Sequence, residues 1–402
     1  MDVKSEVARQ LSLIERNAET LLPREELAQK LERSLREGKP LRVKLGIDPS
    51  APHLTLGHAV VLRKLRTFQD LGHTAVLVVG DFTRRIGDPS GKSKTREPMS
   101  PEEIERNMAS YKEQAFLILD PQRTEVRYNS EWLGKLTFED VIVLTSRYTV
   151  ARMLERDDFA RRFREGVPIT IMEFLYPLAQ AYDSVAIGAD VELGGSDQRF
   201  NLLIGRDIQR EYGQEPQVIL TMPLLIGTDG HYAMSQSRGN YIGIAEPPEE
   251  MFGKVMSLPD ELMESYFRLL TDVPWEEVRD LHPKEAKKRL AWEIVRSLHG
   301  EESAARGRAH FERVFEAREL PEEMPEVRLP PELLSEDGSV GIVDLVFATG
   351  LVGSRSEARR LVEQGGVQVD GERVASVKAR VPFRPPLVVK LGKRRFARIV
   401  GP

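Results

Sequence analysis

The chain is 402 residues long, more than one ordinary domain needs, which predicts two or three domains. It has no cysteine, which excludes a disulfide framework, thiolate metal sites and a cysteine nucleophile. Hydrophobic residues are 41% and charged residues 30%, a soluble globular composition, and the net charge of −5 is unevenly placed. From Gly341 to Pro402 there are 9 Arg and 3 Lys against 5 acidic residues, a net +7, which leaves −12 on the first 340 residues. An acidic body with a basic end predicts a polyanionic partner for the tail.

The opening stretch "MDVKSEVARQLSLIERNAETLL" is charged and amphipathic with no apolar core, unlike a signal peptide. No apolar run approaches the roughly 18 residues of a membrane span, so a cytoplasmic protein is expected. "LRVKLGI" (Leu41 to Ile47) alternates like a strand, and "AVLVVG" (Ala75 to Gly80) reads as a buried parallel strand. "GHAVVLRKLRTFQDLGH" between them has helical spacing, which makes a β-α-β unit. "SVAIGADVELGG" and "PQVILTMPLL" supply later strands around the helix "DQRFNLLIGRDIQREYG". The alternation predicts a parallel sheet with helices on both faces. From about Glu246 the pattern turns helical, "ELPEEMPEVRLPPELLSEDGS" (Glu319 to Ser339) reads as a linker, and a compact basic module closes the chain.

Ligands of such sheets sit beyond the carboxyl ends of the strands, so the residues after each strand matter most. After the first strand, "GIDPSAPHLTLGH" leads into a helix. There Gly57 permits close backbone approach, the helix start offers free N–H groups, and His58 adds a donor for phosphate. Thr55 and His58 read equally well as caps, and Gly57 as a packing glycine. After the second strand, "GDFTRRIGDPSGKSKTR" resembles a P-loop but fails its spacing: Gly91-Lys92-Ser93 requires glycine at position 86, and Ile86 stands there. No G-x-G-x-x-G follows any strand, which removes support for an ordinary dinucleotide oxidoreductase. Asp88 in the "GDPSG" turn either takes a ligand ammonium or caps its own backbone. In "LYPLAQAYDSVAIGADVELGGSDQRFN", Tyr176, Gln180 and Asp183 are spaced by four and three, on one helical face. A polar stripe against a sheet needs partners, and a polar ligand supplies them. Gly194 to Gln198 opens another helix, and "GTDGHYAMSQSRGNYIG" is a long Gly- and Ser-rich loop after a strand. The 7 histidines show no metal-ligand spacing.

Together these residues resemble class I aminoacyl-tRNA synthetases, and within them the bacterial tyrosyl-tRNA synthetase family. Thr55-Leu56-Gly57-His58 stands at that family's HIGH motif and Ala233-Met234-Ser235-Gln236-Ser237 at its KMSKS loop. "GDPSGKSKTR", "YPLAQAYDS" and "GGSDQRFN" are more specific and fit in order and spacing. "VDLVFATGLVGSRSEARRLVEQGGVQVDGERV" is similar to the S-four-type RNA-binding module that ends such enzymes. The resemblance implies a Rossmann-like α/β parallel-sheet catalytic domain (1–245), an α-helical anticodon-binding domain (246–325), a linker (326–339) and a small α+β S-four-like RNA-binding domain (340–402). It implies that ATP and tyrosine form tyrosyl-adenylate and pyrophosphate, and that tyrosyl then passes to the terminal ribose of tRNA. Such chemistry needs no covalent nucleophile, only donors aimed at a rearranging phosphate.

By the same resemblance, Ser50, Thr55, His58, Lys92, Arg96, Ser235, Gln236 and Ser237 serve catalysis. Lys44, Asp88, Tyr176, Gln180, Asp183 and Gln198 hold tyrosine, with Asp183 accepting from the phenol. Gly46, Asp48, Gly57, His58, Gly195, Asp197 and Met234 hold ATP, which enters with Mg²⁺, and no protein metal site is implied. Arg355, Arg359, Arg360, Lys390, Lys393, Arg394 and Arg395 contact tRNA(Tyr), following the charge excess of the end module. "SRYTVARMLERDDFARRFREG" (Ser146 to Gly166) resembles the family's dimer-forming insertion, so a homodimer is implied. The chain departs from the family at Thr55, where histidine is usual, at Ala233 and Gln236, which replace both lysines of the loop, and at Ser50 and Lys44, where threonine and tyrosine are common. A paralogue that binds tyrosine or RNA but activates the amino acid weakly is the alternative.

Overall fold

The computed structural model describes residues 2–89, 100–316, 324–335, 337–392 and 395–401. It divides into two compact units, Met1–His310 and Phe311–Pro402.

The first unit is built on a six-stranded sheet: β1 (Thr20–Leu22), β2 (Arg42–Ile47), β3 (Thr74–Val79), β4 (Thr124–Tyr128), β5 (Val191–Gly195) and β6 (Val218–Met222). The spatial order is β1-β6-β5-β2-β3-β4, with β1 antiparallel at one edge and all other pairs parallel. The chain winds from β2 outward through β3 to β4, then returns beside β2 to form β5 and winds out the other way. The strand order therefore reverses between β2 and β5, and the crevice beyond their carboxyl ends is where such a sheet holds a ligand. The central strands read as apolar runs because helices cover both faces: β3 is buried from Ala75 to Val79, and all of β6 is buried.

The helix Leu56–Asp70 follows β2 and buries Leu56, Val60, Leu62, Leu65 and Phe68. The helix Ile171–Ile187 precedes β5. It starts with a Thr170–Glu173 capping box and ends at Gly188, whose φ of 60° is a left-handed cap that suits glycine. It carries Pro177 in its interior, and its expected strand "SVAI" is instead its last turn. The apolar period there serves both structures, and the αL glycine directly after Ile187 ends the helix. The helical segment from Pro248 to His299 packs into the same unit, where Arg63 reaches Asp272 at 2.7 Å and the Tyr266 hydroxyl donates to the Ile226 carbonyl at 2.6 Å.

The second unit has a five-stranded sheet ordered β10-β9-β12-β13-β7, from β7 (Glu326–Arg328), β9 (Val367–Val369), β10 (Glu372–Arg373), β12 (Leu387–Leu391) and β13 (Arg395–Val400). β8 (Ser339–Gly341) and β11 (Arg380–Pro382) form a separate pair. The helices Ile342–Ala348 and Arg355–Glu363 close a core containing Ile342, Leu345, Ala358, Val362, Val389 and Ile399. The stretch 326–339, expected as a linker, holds β7, which pairs in parallel with β13. Its proline and glutamate content masked a three-residue edge strand, a position that tolerates such residues.

Candidate active site

A cavity of about 320 Å³ opens in the crevice between the ends of β2 and β5. Its walls include Gly46, Asp48, Ser50, Thr55, Gly57 and His58 from the first crossover, Asp88 from the second, and Tyr176, Gln180 and Asp183 from one helix face. Gly195, Asp197, Gln198, Ala233 and Met234 complete the set. The sequence brought forward most of these residues; Gly80, Thr83 and Asn129 on the same wall were missed.

Asp183 lies at 3% exposure and has its carboxylate fixed from two sides. Trp132 Nε1 donates to Oδ1 at 2.7 Å and Asn129 Nδ2 to Oδ2 at 3.3 Å. Burial pushes this carboxyl up to about 7, against the nearby Lys44 ammonium and the two donors, which pull it down. Neither Asn129, which directly follows β4, nor Trp132 carries a motif, and no signal in the sequence marks them. Asp48, half-buried, forms a second centre. It accepts from the Tyr176 hydroxyl at 2.9 Å and from Thr83 Oγ1 at 2.8 Å. Burial, and then the Asp88 carboxylate, raise it to about 6. Gly80 is needed here, because a methyl group on it would overlap Asp48 Oδ1 and Thr83 Oγ1.

At the helix start, the Thr55 N–H donates to His58 Nδ1 at 3.1 Å, and Thr55 Oγ1 lies 2.9 Å from the same nitrogen. An accepting Nδ1 carries no proton, so the neutral ring bears its proton on Nε2. Desolvation at the cavity wall lowers His58 to about 4 and keeps it neutral at physiological pH. Thr55 thus acts on the ring of His58 and caps the helix.

Two expectations are corrected. Lys44 does not line the cavity: it is fully buried, and its ammonium is taken by the Gln180 carbonyl at 2.9 Å, Ser184 Oγ at 2.8 Å and Glu192 Oε1 at 2.8 Å. Its side of β2 faces the helix Ile171–Ile187, so it meets that helix before any ligand could. Ser235, Gln236 and Ser237 also lie off the cavity wall. The two serines bond each other at 2.9 Å, and Gln236 Nε2 bonds the His53 carbonyl. Their loop lies against the helix start instead, with Ala233 paired to Ile226 and Thr55 paired to Gly243. Lys92, Arg96, Lys393 and Arg394 lie outside the described residues.

In the second unit, Arg359 and Arg360 are exposed on the helix Arg355–Glu363. Arg355 pairs with Asp344 at 3.0 Å, Arg395 donates to the Leu351 carbonyl at 2.7 Å, and Lys390 sits over the Phe396 ring at 5.3 Å.

Residues 36–316 match the family described as tRNA synthetases class I (W and Y), and residues 340–383 match the S4 domain. The chain belongs to that synthetase family. Among its relatives, the tyrosine–tRNA ligase of Thermotoga maritima is 57% identical over 98% of this chain and 97% of its own, and that of Aquifex aeolicus is 51% identical over 98% of each. Among solved structures, the tyrosyl-tRNA synthetase of Archaeoglobus fulgidus, complexed with L-tyrosine, superposes with a TM-score of 0.61 at 25% identity over 75% of this chain and 99% of that one. A truncated mitochondrial tyrosyl-tRNA synthetase from Coccidioides posadasii, 24% identical and covering 76% of this chain and 94% of that one, has a TM-score of 0.63 and shares the fold. Among the described residues, no helix is long and apolar enough to cross a membrane, and no group of three or more His, Asp or Glu side chains could hold a metal ion.

Proposed function

We infer that the chain is a tyrosine–tRNA ligase. The observation that carries the choice of amino acid is Asp183, a buried carboxylate that keeps acceptor capacity toward the cavity after Trp132 and Asn129 have bonded it. It suits a phenolic O–H, and phenylalanine would leave it unpaired in a dry site. Asp88 and the oxygens of Gln180 and Tyr176 supply acceptors for the ammonium, since Tyr176 has already donated its proton to Asp48. The tyrosine carboxylate attacks the α-phosphorus of ATP, the bond to the bridging oxygen breaks, and pyrophosphate leaves. The helix start and the His58 Nε2–H lie where that phosphate charge rearranges. Gly46, Gly57 and Gly195 bring backbone close to the nucleotide, and Asp48 and Asp197 border it. ATP enters as its Mg²⁺ complex, held by its own phosphates. A ribose hydroxyl of the tRNA 3′-terminal adenosine then attacks the tyrosyl carbonyl and AMP leaves.

Arg359, Arg360 and the rest of the basic module supply phosphate contacts for tRNA(Tyr), and the helical segment after Pro248 serves the anticodon side. A homodimer is supported by apolar side chains left exposed between 138 and 172: Phe138 at 81%, Phe163 at 68% and Ile171 at 80%. The reaction belongs in the cytoplasm, with tRNA. The neutral Thr55, Ala233 and Gln236 favour a second reading, a relative that binds tyrosine but activates it weakly. Incubation of the purified chain with ATP, labelled tyrosine and tRNA should yield acid-precipitable tyrosyl-tRNA, and labelled phenylalanine should yield none. Equal incorporation of both amino acids contradicts the proposed pocket.

A further inference from the structure

We propose that Arg156 is a positioning residue for the amino-acid site: through Asn201 it fixes which way the amides of Gln180 and Gln198 point. The inference rests on the ligase reading. Arg156 lies outside the motifs that line the cavity, in the stretch Ser146 to Gly166 just before the helix Asp157–Arg164, and 45 positions from Asn201. It is 6% exposed and is held firmly, with Nε 2.7 Å from Asp158 Oδ1 and its guanidinium 5.1 Å from the centre of the Phe159 ring. Its Nη1 donates to Asn201 Oδ1 at 3.2 Å, and Nη2 stands 3.8 Å from Asp88 Oδ1.

The chemistry of these groups dictates a direction. A guanidinium has donors and no acceptor, so Asn201, 1% exposed, must turn its oxygen toward Arg156. Its Nδ2 then faces the site, where it donates to Gln180 Oε1 at 3.1 Å and to Gln198 Oε1 at 3.1 Å. With its oxygen so engaged, Gln198 turns Nε2 to Asp88 at 3.0 Å and to Asp197 at 3.1 Å. Gln180 turns Nε2 to Glu192 at 3.3 Å, and Glu192 in turn pairs with Lys44. Three amides, each able to flip, are thus set by one cation at one end and one buried ion pair at the other. The outcome is that the Gln180 oxygen and the Asp88 carboxylate serve the proposed ammonium site, with the Gln180 N–H₂ turned away toward Glu192. A flipped Asn201 would put its N–H₂ against the Arg156 guanidinium and its oxygen against both glutamine oxygens, an arrangement with no bonds and several repulsions.

The test is steady-state tyrosine-dependent pyrophosphate–ATP exchange with the full chain. Arg156→Met should raise KM for tyrosine roughly 10- to 100-fold, the range for losing hydrogen bonds to a charged group, while KM for ATP stays within about twofold. Asn201→Leu keeps Arg156 beside Asp158 and Asp88 and should give the same split if the Arg156 variant does not fold. In the double variant the two effects should not add, because both remove one relay. An unchanged KM for tyrosine in Asn201→Leu, or KM values for tyrosine and ATP that rise together, overturns the proposal. Absence of exchange in the unaltered chain would instead contradict the ligase reading itself.

Discussion

Asp183 shows how one buried residue can set substrate choice and pH response together. Its carboxyl is raised to about 7, so its ionised fraction grows as pH rises through that value. The ionised form accepts from Trp132, Asn129 and the incoming phenol at once. KM for tyrosine should therefore fall as pH rises from 6 to 8, and Asp183→Asn should flatten the profile. Asp183→Ala should cut the preference for tyrosine over phenylalanine by roughly 10- to 100-fold, read as the ratio of kcat/KM values. Asp183, Gln180 and Tyr176 were legible because three polar residues at helical spacing ahead of a strand need partners. Lys44 was misread because the alternation of β2 shows that a side chain is inside without showing which helix it meets. Asn129, Trp132 and Arg156 were illegible: their partners lie 54, 51 and 45 positions away, and only the packed sheet brings them near.

In the proposed reaction, the helix Leu56–Asp70 is the element on which activation turns. Its start was legible as a strand-to-helix junction with a cap, and the sequence left open whether Thr55 serves the helix or the ligand. The structure joins the two readings, because the residue that caps the helix also orients His58. Thr55→Val keeps the shape and removes the hydroxyl. It should cost about 1 kcal/mol of stability in urea unfolding, the usual worth of a cap. It should also slow exchange by about tenfold without moving KM for tyrosine, since the hydroxyl's side-chain partner in the site is His58 and not a residue proposed to hold tyrosine. A variant with full stability and full exchange would show that the cap is dispensable. The short edge strands β1 and β7 stayed hidden for a different reason. Each has three residues, too few for a period, and exists only because a longer strand offers an edge.

At the scale of the whole molecule, charge and chemistry divide between the two units. The cavity lies wholly within the first, and the net +7 lies in the last 62 residues. Arg359→Gln with Arg360→Gln should raise KM for tRNA and reduce its salt dependence by about one unit of slope per lost phosphate contact, with exchange unchanged. This separation was legible from composition alone, whereas the catalytic crevice needed the β2–β5 reversal that only the fold displays. We infer that this site activates tyrosine although Thr55, Ala233 and Gln236 stand where the family usually carries cations. The helix start and a neutral His58 are held to be sufficient together with the rest of the site. Tyrosine-dependent exchange of labelled pyrophosphate into ATP measures that step without tRNA. Exchange well above background that requires tyrosine is expected; tyrosine binding with no exchange would contradict activation at this site.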